Sequence, residues 1–249
     1  MVLLEAGKLP HKNYLNIWNL TALRGIQEAT DHITLGALTT YTDVQSNPIL
    51  CEEFPMLCQA ASETGGLAIQ NRGTLGGNIV NASPAADSPP ALLAYNAELE
   101  LLSVHGSRWV PYQSFHTGYK QTIMQPDELL AHIRLPRLWP DLQHYYRKVG
   151  TRKAQAISKV CLAATARVVE GTIEHIRIAL GSVAPVPLRC RKTETVLQGS
   201  KLGESAIEKA RDELAREIVP IDDIRSTRDY RLKVSLNILE DFLRKLRST

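Results

Sequence analysis

The sequence predicts an α+β protein, and three observations carry that reading. Residues 97–104 and 129–136 alternate apolar and polar side chains with the period of a half-buried strand. Residues 157–166 and 173–180 flank the turn Glu170-Gly171-Thr172 and read as an antiparallel pair. The chain then switches to helical spacing up to its C-terminus, and strands followed by helices suit an antiparallel sheet backed by helices.

Taken in order, residues 14–20 alternate large apolar and smaller polar side chains, which predicts another half-buried strand. Residues 33–37 form a short β-rich run. Residues 39–44 open a helix for which Thr40 or Thr42 is the N-cap. A helix over 54–61 places Met56 and Ala60 in the core, and a short apolar helix over 90–95 has prolines near its start. The strand at 97–104 turns through His105-Gly106-Ser107 into Arg108-Trp109-Val110-Pro111, and residues 115–120 lead towards the strand that Pro136 closes. A Trp-Pro-Asp turn at 139–141 marks a boundary between residues 26–140 and a C-terminal domain, 141–249. That domain starts with a strand at 145–149. Its helices cover 193–197, 205–218, where Ala206, Ala210 and Leu214 recur, and 227–246, with a stripe of Leu232, Leu236, Leu239, Phe242 and Leu246.

Residues 64–90, TGGLAIQNRGTLGGNIVNASPAADSPP, break this pattern. The segment 72–84 is too long for a hairpin turn and too rich in Gly, Asn and Ser for a buried helix or strand, so an ordered loop is expected. Glycine lets a ligand approach the main chain without a Cβ in the way. Successive amides exposed in that manner form a concavity suited to a diphosphate. Thr74, Asn78, Asn81 and Ser83 set hydroxyls and amides around the same backbone. Asp87, while ionised, can only accept, so a ligand hydroxyl or ring N–H is its natural partner. A tight Gly-rich turn with polar decoration is the other reading of the same residues.

The run 71–94, NRGTLGGNIVNASPAADSPPALLA, closely resembles the second flavin-binding loop of the FAD-binding (medium) subunits of molybdenum hydroxylases. That family includes the medium chain of carbon monoxide dehydrogenase and the flavin domain of xanthine dehydrogenase. Residues 33–40, 127–136 and 146–150 support the resemblance in order, so it runs along nearly the whole chain. It implies a partial PCMH-type FAD-binding domain of mixed or antiparallel sheet with helices, then a C-terminal domain built on three antiparallel strands. It implies FAD as cofactor, with Thr74, Gly76, Gly77 and Asn78 on the diphosphate and Asn81 and Asp87 on the ribityl or adenosine portion. Gly36, Thr39 and Thr40 border the flavin in this scheme. Leu130 packs against the ring or is a core leucine, and Arg147 or Lys148 lies near the ring N1/C2=O end or is a surface cation. No side chain performs acid–base chemistry. The implied partners are an iron–sulfur small subunit and a molybdenum-cofactor large subunit, with NAD or another acceptor taking the electrons.

In that family an A-G-G-T-D/N type loop holds the diphosphate from the opposite side, and nothing in this chain matches it. Residues 1–25 therefore resemble the remnant of a first subdomain whose leading part, about 40 to 50 residues or roughly a third of a typical domain, is missing. The expectation that follows is weak FAD binding or none. The rival reading is a non-catalytic docking module that keeps the fold without cofactor.

Composition narrows the field further. With 249 residues, 44% hydrophobic and 22% charged, the chain is long enough for sizeable cores and ordinary for a globular protein. A net charge of +3, from 29 basic and 26 acidic residues, argues against a nucleic-acid or membrane footprint. The N-terminal residues do not read as a secretory signal, and no run approaches the ~20 apolar residues of a membrane span. Cytoplasm is the default compartment. Cys51, Cys58, Cys161 and Cys190 have neither metal-ligand nor disulfide-scaffold spacing and read as buried free thiols. The seven histidines are scattered, which disfavours a catalytic metal. G-x-S-x-G, Walker-type and G-x-G-x-x-G runs do not occur, which disfavours an esterase, an NTPase and a Rossmann site.

Overall fold

Alternating sequences become strands where a neighbour accepts their hydrogen bonds, and the computed structural model, which describes residue 7 and residues 13–137, 141–152 and 155–247, shows where that happens. Strands β1 (Ile26–Glu28), β2 (His32–Gly36), β3 (Glu98–Ser103), β4 (Gly106–Pro111) and β7 (Leu129–Pro136) form a five-stranded sheet ordered β1-β2-β7-β3-β4, every pairing antiparallel. Strands β5 (His116–Gly118) and β6 (Gln121–Thr122) make a small hairpin beside it. Six short helices connect the two halves of the sheet: α1 (Tyr41–Ser46), α2 (Pro48–Glu53), α3 (Pro55–Ser62), α4 (Leu67–Gln70), α5 (Leu75–Val80) and α6 (Ser88–Ala94). Thr40 caps α1 in a capping box with Asp43: the Thr40 hydroxyl accepts the Asp43 amide and the Asp43 carboxylate accepts the Thr40 amide, so two otherwise orphaned donors are satisfied.

The second sheet is ordered β11-β10-β9-β8, from β8 (Gln143–Val149), β9 (Val160–Val169), β10 (Thr172–Gly181) and β11 (Leu188–Arg189). It has four strands where three were expected, because the chain after β10 folds back to pair Leu188 and Arg189 with Leu180 and Ala179. Glu170 and Gly171, at φ 49 and 74, turn β9 into β10. The period-two side chains of β9 divide between two cores. Cys161 and Ala163 join Tyr146 and Ala179 in the core that α3 and α6 share with the first sheet. Leu162, Ala164 and Ala166 face a second core made with α7 (Arg191–Leu197), α8 (Glu204–Glu217) and α9 (Arg228–Leu246).

Three expectations need correction. Residues 14–20 are not a strand: Tyr14 and Leu15 are 58% and 86% exposed, and the chain passes through a turn into a 3-10 helix at Thr21–Leu23. Among the described residues no strand pairs with them, and Trp18 instead lies between the guanidiniums of Arg24 and Arg72, 4.3 and 4.2 Å from its ring centroid. The buried face of α9 is rotated from the predicted stripe: Arg231, Ser235, Ile238, Leu239, Phe242, Leu243 and Leu246 are buried, while Leu232 and Leu236 lie at its flank. Hydrophobicity alone could not select Arg231, which is buried because it donates to the carbonyls of Lys159 and Ser182 and pairs with Asp223. Of the cysteines, Cys161 and Cys190 are buried, but Cys51 is exposed and Cys58 half-buried, their sulfurs 3.2 Å apart. The turn expected at 139–141 and the segment 1–6 fall outside the described residues, apart from Asp141, which pairs with Arg167.

Candidate functional site

The Gly- and Asn-rich stretch is a short helix, not a loop, and tertiary contacts explain why. Thr74 is the N-cap of α5, accepting the Gly77 amide at 3.1 Å, and the chain leaving β2 runs alongside the start of that helix. The Leu75 amide donates to the Thr39 carbonyl (3.0 Å) and the Gly76 amide to the Ala37 carbonyl (2.9 Å). A Cβ on Gly76 would lie 2.6 Å from the Ala37 Cβ and 2.7 Å from its carbonyl oxygen, so only glycine permits this approach. Helix propensity is poor across Leu-Gly-Gly-Asn, and packing overrides it. The expected cradle of free amides is therefore corrected: the amides of Leu75, Gly76, Gly77 and Asn78 all have partners within the protein.

What α5 offers outward is different. Gly76 is buried, Gly77 exposed, Asn78 half-buried and Asn81 exposed. Asn81 ends the helix, and Ala82 follows at φ 49, a conformation that costs a non-glycine residue about 1 kcal/mol or more. Lys120, at the tip of the β5–β6 hairpin with φ 58, donates its ammonium to the Asn81 carbonyl (2.8 Å) and Asn81 Oδ1 (3.1 Å). Among the described residues that ammonium meets no carboxylate, and partial burial draws its pKa below the ordinary lysine value. Next to Asn81 in the chain α5 exposes Val80 (41%), and α4 exposes Leu67 (78%) and Ile69 (56%). An open face with a cation, a primary amide, a bare glycine and apolar side chains suits a ligand that joins phosphate to flat ring systems.

Asp87 works inward. Its carboxylate accepts from Lys148 Nζ at 2.7 Å and from the buried Ser158 hydroxyl at 2.5 Å, and Lys148 also donates to the Glu63 carbonyl at 2.7 Å. The ligand hydroxyl expected for Asp87 is thus replaced by protein partners. Burial raises the Asp87 carboxyl above its ordinary value, opposed by Lys148 and Ser158. Ser88 donates to Asn78 Oδ1 at 2.7 Å, and the Tyr41 phenol, pushed up by burial, interacts with both. This buried polar cluster fixes α5 and the start of α6 against β8 and the segment before β9.

The other expected site residues have scaffold partners. The Gly36 amide donates to the Gly25 carbonyl, and the Thr39 hydroxyl lies 3.4 Å from that same oxygen. Leu130 is 2% exposed in the first core, which leaves no apolar surface for a ring and favours the core reading. Arg147 and Lys148 point to opposite faces of β8. Arg147 is exposed in a cleft with Tyr145, Asp241 and Lys245, whereas Lys148 is the buried partner of Asp87. Sequence reasoning missed Lys120, Tyr41, Ser88 and Ser158. No local signal marks them, since each reaches the site only through folding.

Among the described residues no group of three His, Cys, Asp or Glu side chains converges on a metal position, and no helix is long and apolar enough to cross a membrane. The family model for the FAD binding domain in molybdopterin dehydrogenase matches residues 1–138, and that for the CO dehydrogenase flavoprotein C-terminal domain matches 144–246. A xanthine dehydrogenase FAD-binding subunit of Escherichia coli O157:H7 is 34% identical over 227 residues, 89% of this chain and 77% of its own length. The carbon monoxide dehydrogenase medium chain of Hydrogenophaga pseudoflava is 31% identical over 220 residues, covering 88% and 76%. In solved structures, carbon monoxide dehydrogenase from that organism superposes with a TM-score of 0.85 at 31% identity, over 88% of this chain and 76% of the other. Quinoline 2-oxidoreductase from Pseudomonas putida 86 gives a TM-score of 0.83 at 25% identity, over 90% and 78%.

Proposed function

The chain belongs to the FAD-binding medium subunits of molybdenum hydroxylase-type dehydrogenases, and from that premise we propose that it holds FAD on the outer face of α4 and α5 and serves as the flavin station of an electron-transfer complex. The observation that carries the site is the outer face of α5: exposed Gly77, Val80 and Asn81 fall on one side of the helix, with the Lys120 ammonium bound to Asn81, and α4 adds exposed Leu67 and Ile69. When bound, the flavin supplies the redox chemistry that connects iron–sulfur clusters on a small subunit, reduced from a molybdenum cofactor on a large one, to NAD or another acceptor. The chain's own residues bind and orient. Lys120 and the Asn81 amide would hold the diphosphate, and Gly77 would leave room for it, since a Cβ there would sit 2.9 Å from Thr74 Oγ1. Thr74, Gly76 and Asn78 hold α5 in place. Asp87, Lys148 and Ser158 hold the surface from beneath, and the backbone of Gly36, Thr39 and Thr40 forms the wall against which α5 begins. Arg147, on the other face of β8, is assigned no flavin contact.

The test is the flavin content of the complex containing this chain, read from its visible spectrum after desalting. Lys120→Met and Asn81→Ala should each lower FAD occupancy at least fivefold while the subunits stay associated. Full occupancy in both variants refutes the placement of the site. A colourless parent complex that still assembles with iron–sulfur and molybdenum subunits would instead support the docking-module reading.

A further inference from the structure

Away from the α4–α5 face, a second constellation lies at the seam between the two sheets. Along β10, Ile176, Ile178 and Leu180 enter the second core, so Arg177 and Ala179 point to the opposite face, the one that meets α6. Where the chain leaves α6 at Asn96, itself at φ 56, an open cleft of about 440 Å³ is lined by His175, Arg177, Arg189, Arg191 and Glu194 with Asn96. Three guanidiniums and one carboxylate line it. Glu194 is committed to Arg189 by two hydrogen bonds and to the Ile178 amide at 2.7 Å, and Arg191 Nη1 stands 3.7 Å from it. Arg189 also donates to the Leu93 carbonyl (3.0 Å) and Asn96 Oδ1 (2.6 Å), so it is braced on every side. Beyond that longer contact with Glu194, Arg191 donates to the neutral Gln113 side chain.

Arg177 has no such partner. Its Nη1 is buried without a hydrogen bond, and among the described residues no carboxylate reaches ion-pair distance. Directly across the β9–β10 register, the hydroxyl of fully buried Thr165 is also without a partner. Buried guanidinium nitrogens and hydroxyls are rarely left unpaired, because each forfeits its hydration for nothing. The acids of adjacent elements are engaged elsewhere: Glu174 with Arg167, and Glu217 with Thr193 and the Lys192 amide. Burial and the neighbouring Arg189 draw the Arg177 guanidinium down to about 10, so it stays charged at neutral pH.

We propose that this cleft binds a phosphate-class dianion, either orthophosphate or the phosphate of a small organic molecule, on Arg177 and Arg191 over a floor braced by Arg189 and Glu194. Guanidinium forks match the tetrahedral oxygens of phosphate, and a dianion balances the excess of cations over the one carboxylate. The volume exceeds that of phosphate itself, which leaves room for an organic body. None of these residues belongs to the flavin face, so the two assignments stand or fall separately.

Calorimetric titration of inorganic phosphate into the purified chain and into its assembled complex, at constant ionic strength with chloride as the competing anion, tests this. Saturable one-site binding is expected in both, weakened at least tenfold by Arg177→Gln and measurably by Arg191→Gln, with flavin content unchanged. Arg191 is exposed, so its variant keeps the test usable if Arg177→Gln does not fold. Tighter binding of phenyl phosphate than of orthophosphate identifies the organic source, and the reverse order the free ion. Non-saturable heats, or equal binding by parent and both variants, overturn the proposal. Binding by the isolated chain that vanishes in the complex also overturns it, since a partner's acidic surface would then be the occupant.

Discussion

Replacing Lys148 by methionine removes the cation from a nearly dry ion pair. The Lys148 and Asp87 side chains are 5% and 10% exposed, and the variant leaves Asp87 with Ser158 alone and the Glu63 carbonyl without its donor. Breaking one partner of a buried pair costs about 3–5 kcal/mol, a large share of the roughly 5–15 kcal/mol that holds a typical domain together. The loss should depend on pH in a defined direction. Asp87 has a folded pKa above its ordinary value of 3.8, first because of burial, and Lys148 is the main influence pulling it back. A group with a raised folded pKa stabilises fully below its unfolded value and loses that contribution as pH rises through the folded one. Without Lys148 the carboxyl rises further, so the deficit should be greatest at pH 7 to 8 and shrink towards pH 5 as Asp87 takes up a proton. The double variant Asp87→Asn/Lys148→Met should regain at least about 2 kcal/mol at pH 7, because no buried charge remains at that site. Urea unfolding followed by far-UV circular dichroism across pH 5 to 8 measures all three proteins. A loss below about 1 kcal/mol, or one that does not change with pH, refutes the claim that this pair sits in a low-dielectric site.

Three further outcomes are expected. Gly76→Ala forces a Cβ against the backbone and side chain of Ala37 and should destabilise by about 1–3 kcal/mol in thermal unfolding, whereas Gly77→Ala, whose Cβ meets only the Thr74 hydroxyl, should chiefly lower FAD occupancy. Burial holds the His116 imidazole at about 4, below its ordinary 6.5, so the folded state refuses a proton that the unfolded chain accepts. Its contribution is complete above pH 6.5 and should be lost between pH 6.5 and 4 at no more than about 1.4 kcal/mol per pH unit, a slope that His116→Asn should flatten. A thiol reagent should label Cys51 and Cys58 in the native protein and reach Cys161 and Cys190 only in denaturant, and four equal rates would contradict the burial pattern.

Most of the scaffold was legible in the sequence because it rests on short-range physics. Period-two runs at 97–104, 129–136 and 173–180, the cap at Thr40, and prolines at the start of α6 each act within a few residues. The resemblance of residues 71–94 to a flavin-binding loop likewise pointed to the family. Only folding could decide what each of those residues touches. Poor helix formers became α5 because residues 37 and 39 offer carbonyls to its first amides, an arrangement set by contacts more than thirty positions apart. The same holds for Asp87, paired by strand β8 and Ser158, for Arg231, buried by carbonyls it satisfies, and for Arg177, left with no counter-ion among the described residues at a seam that exists only once the two sheets pack. Local pattern fixes what a segment can become. Long-range packing fixes which polar groups are satisfied and which remain for a ligand.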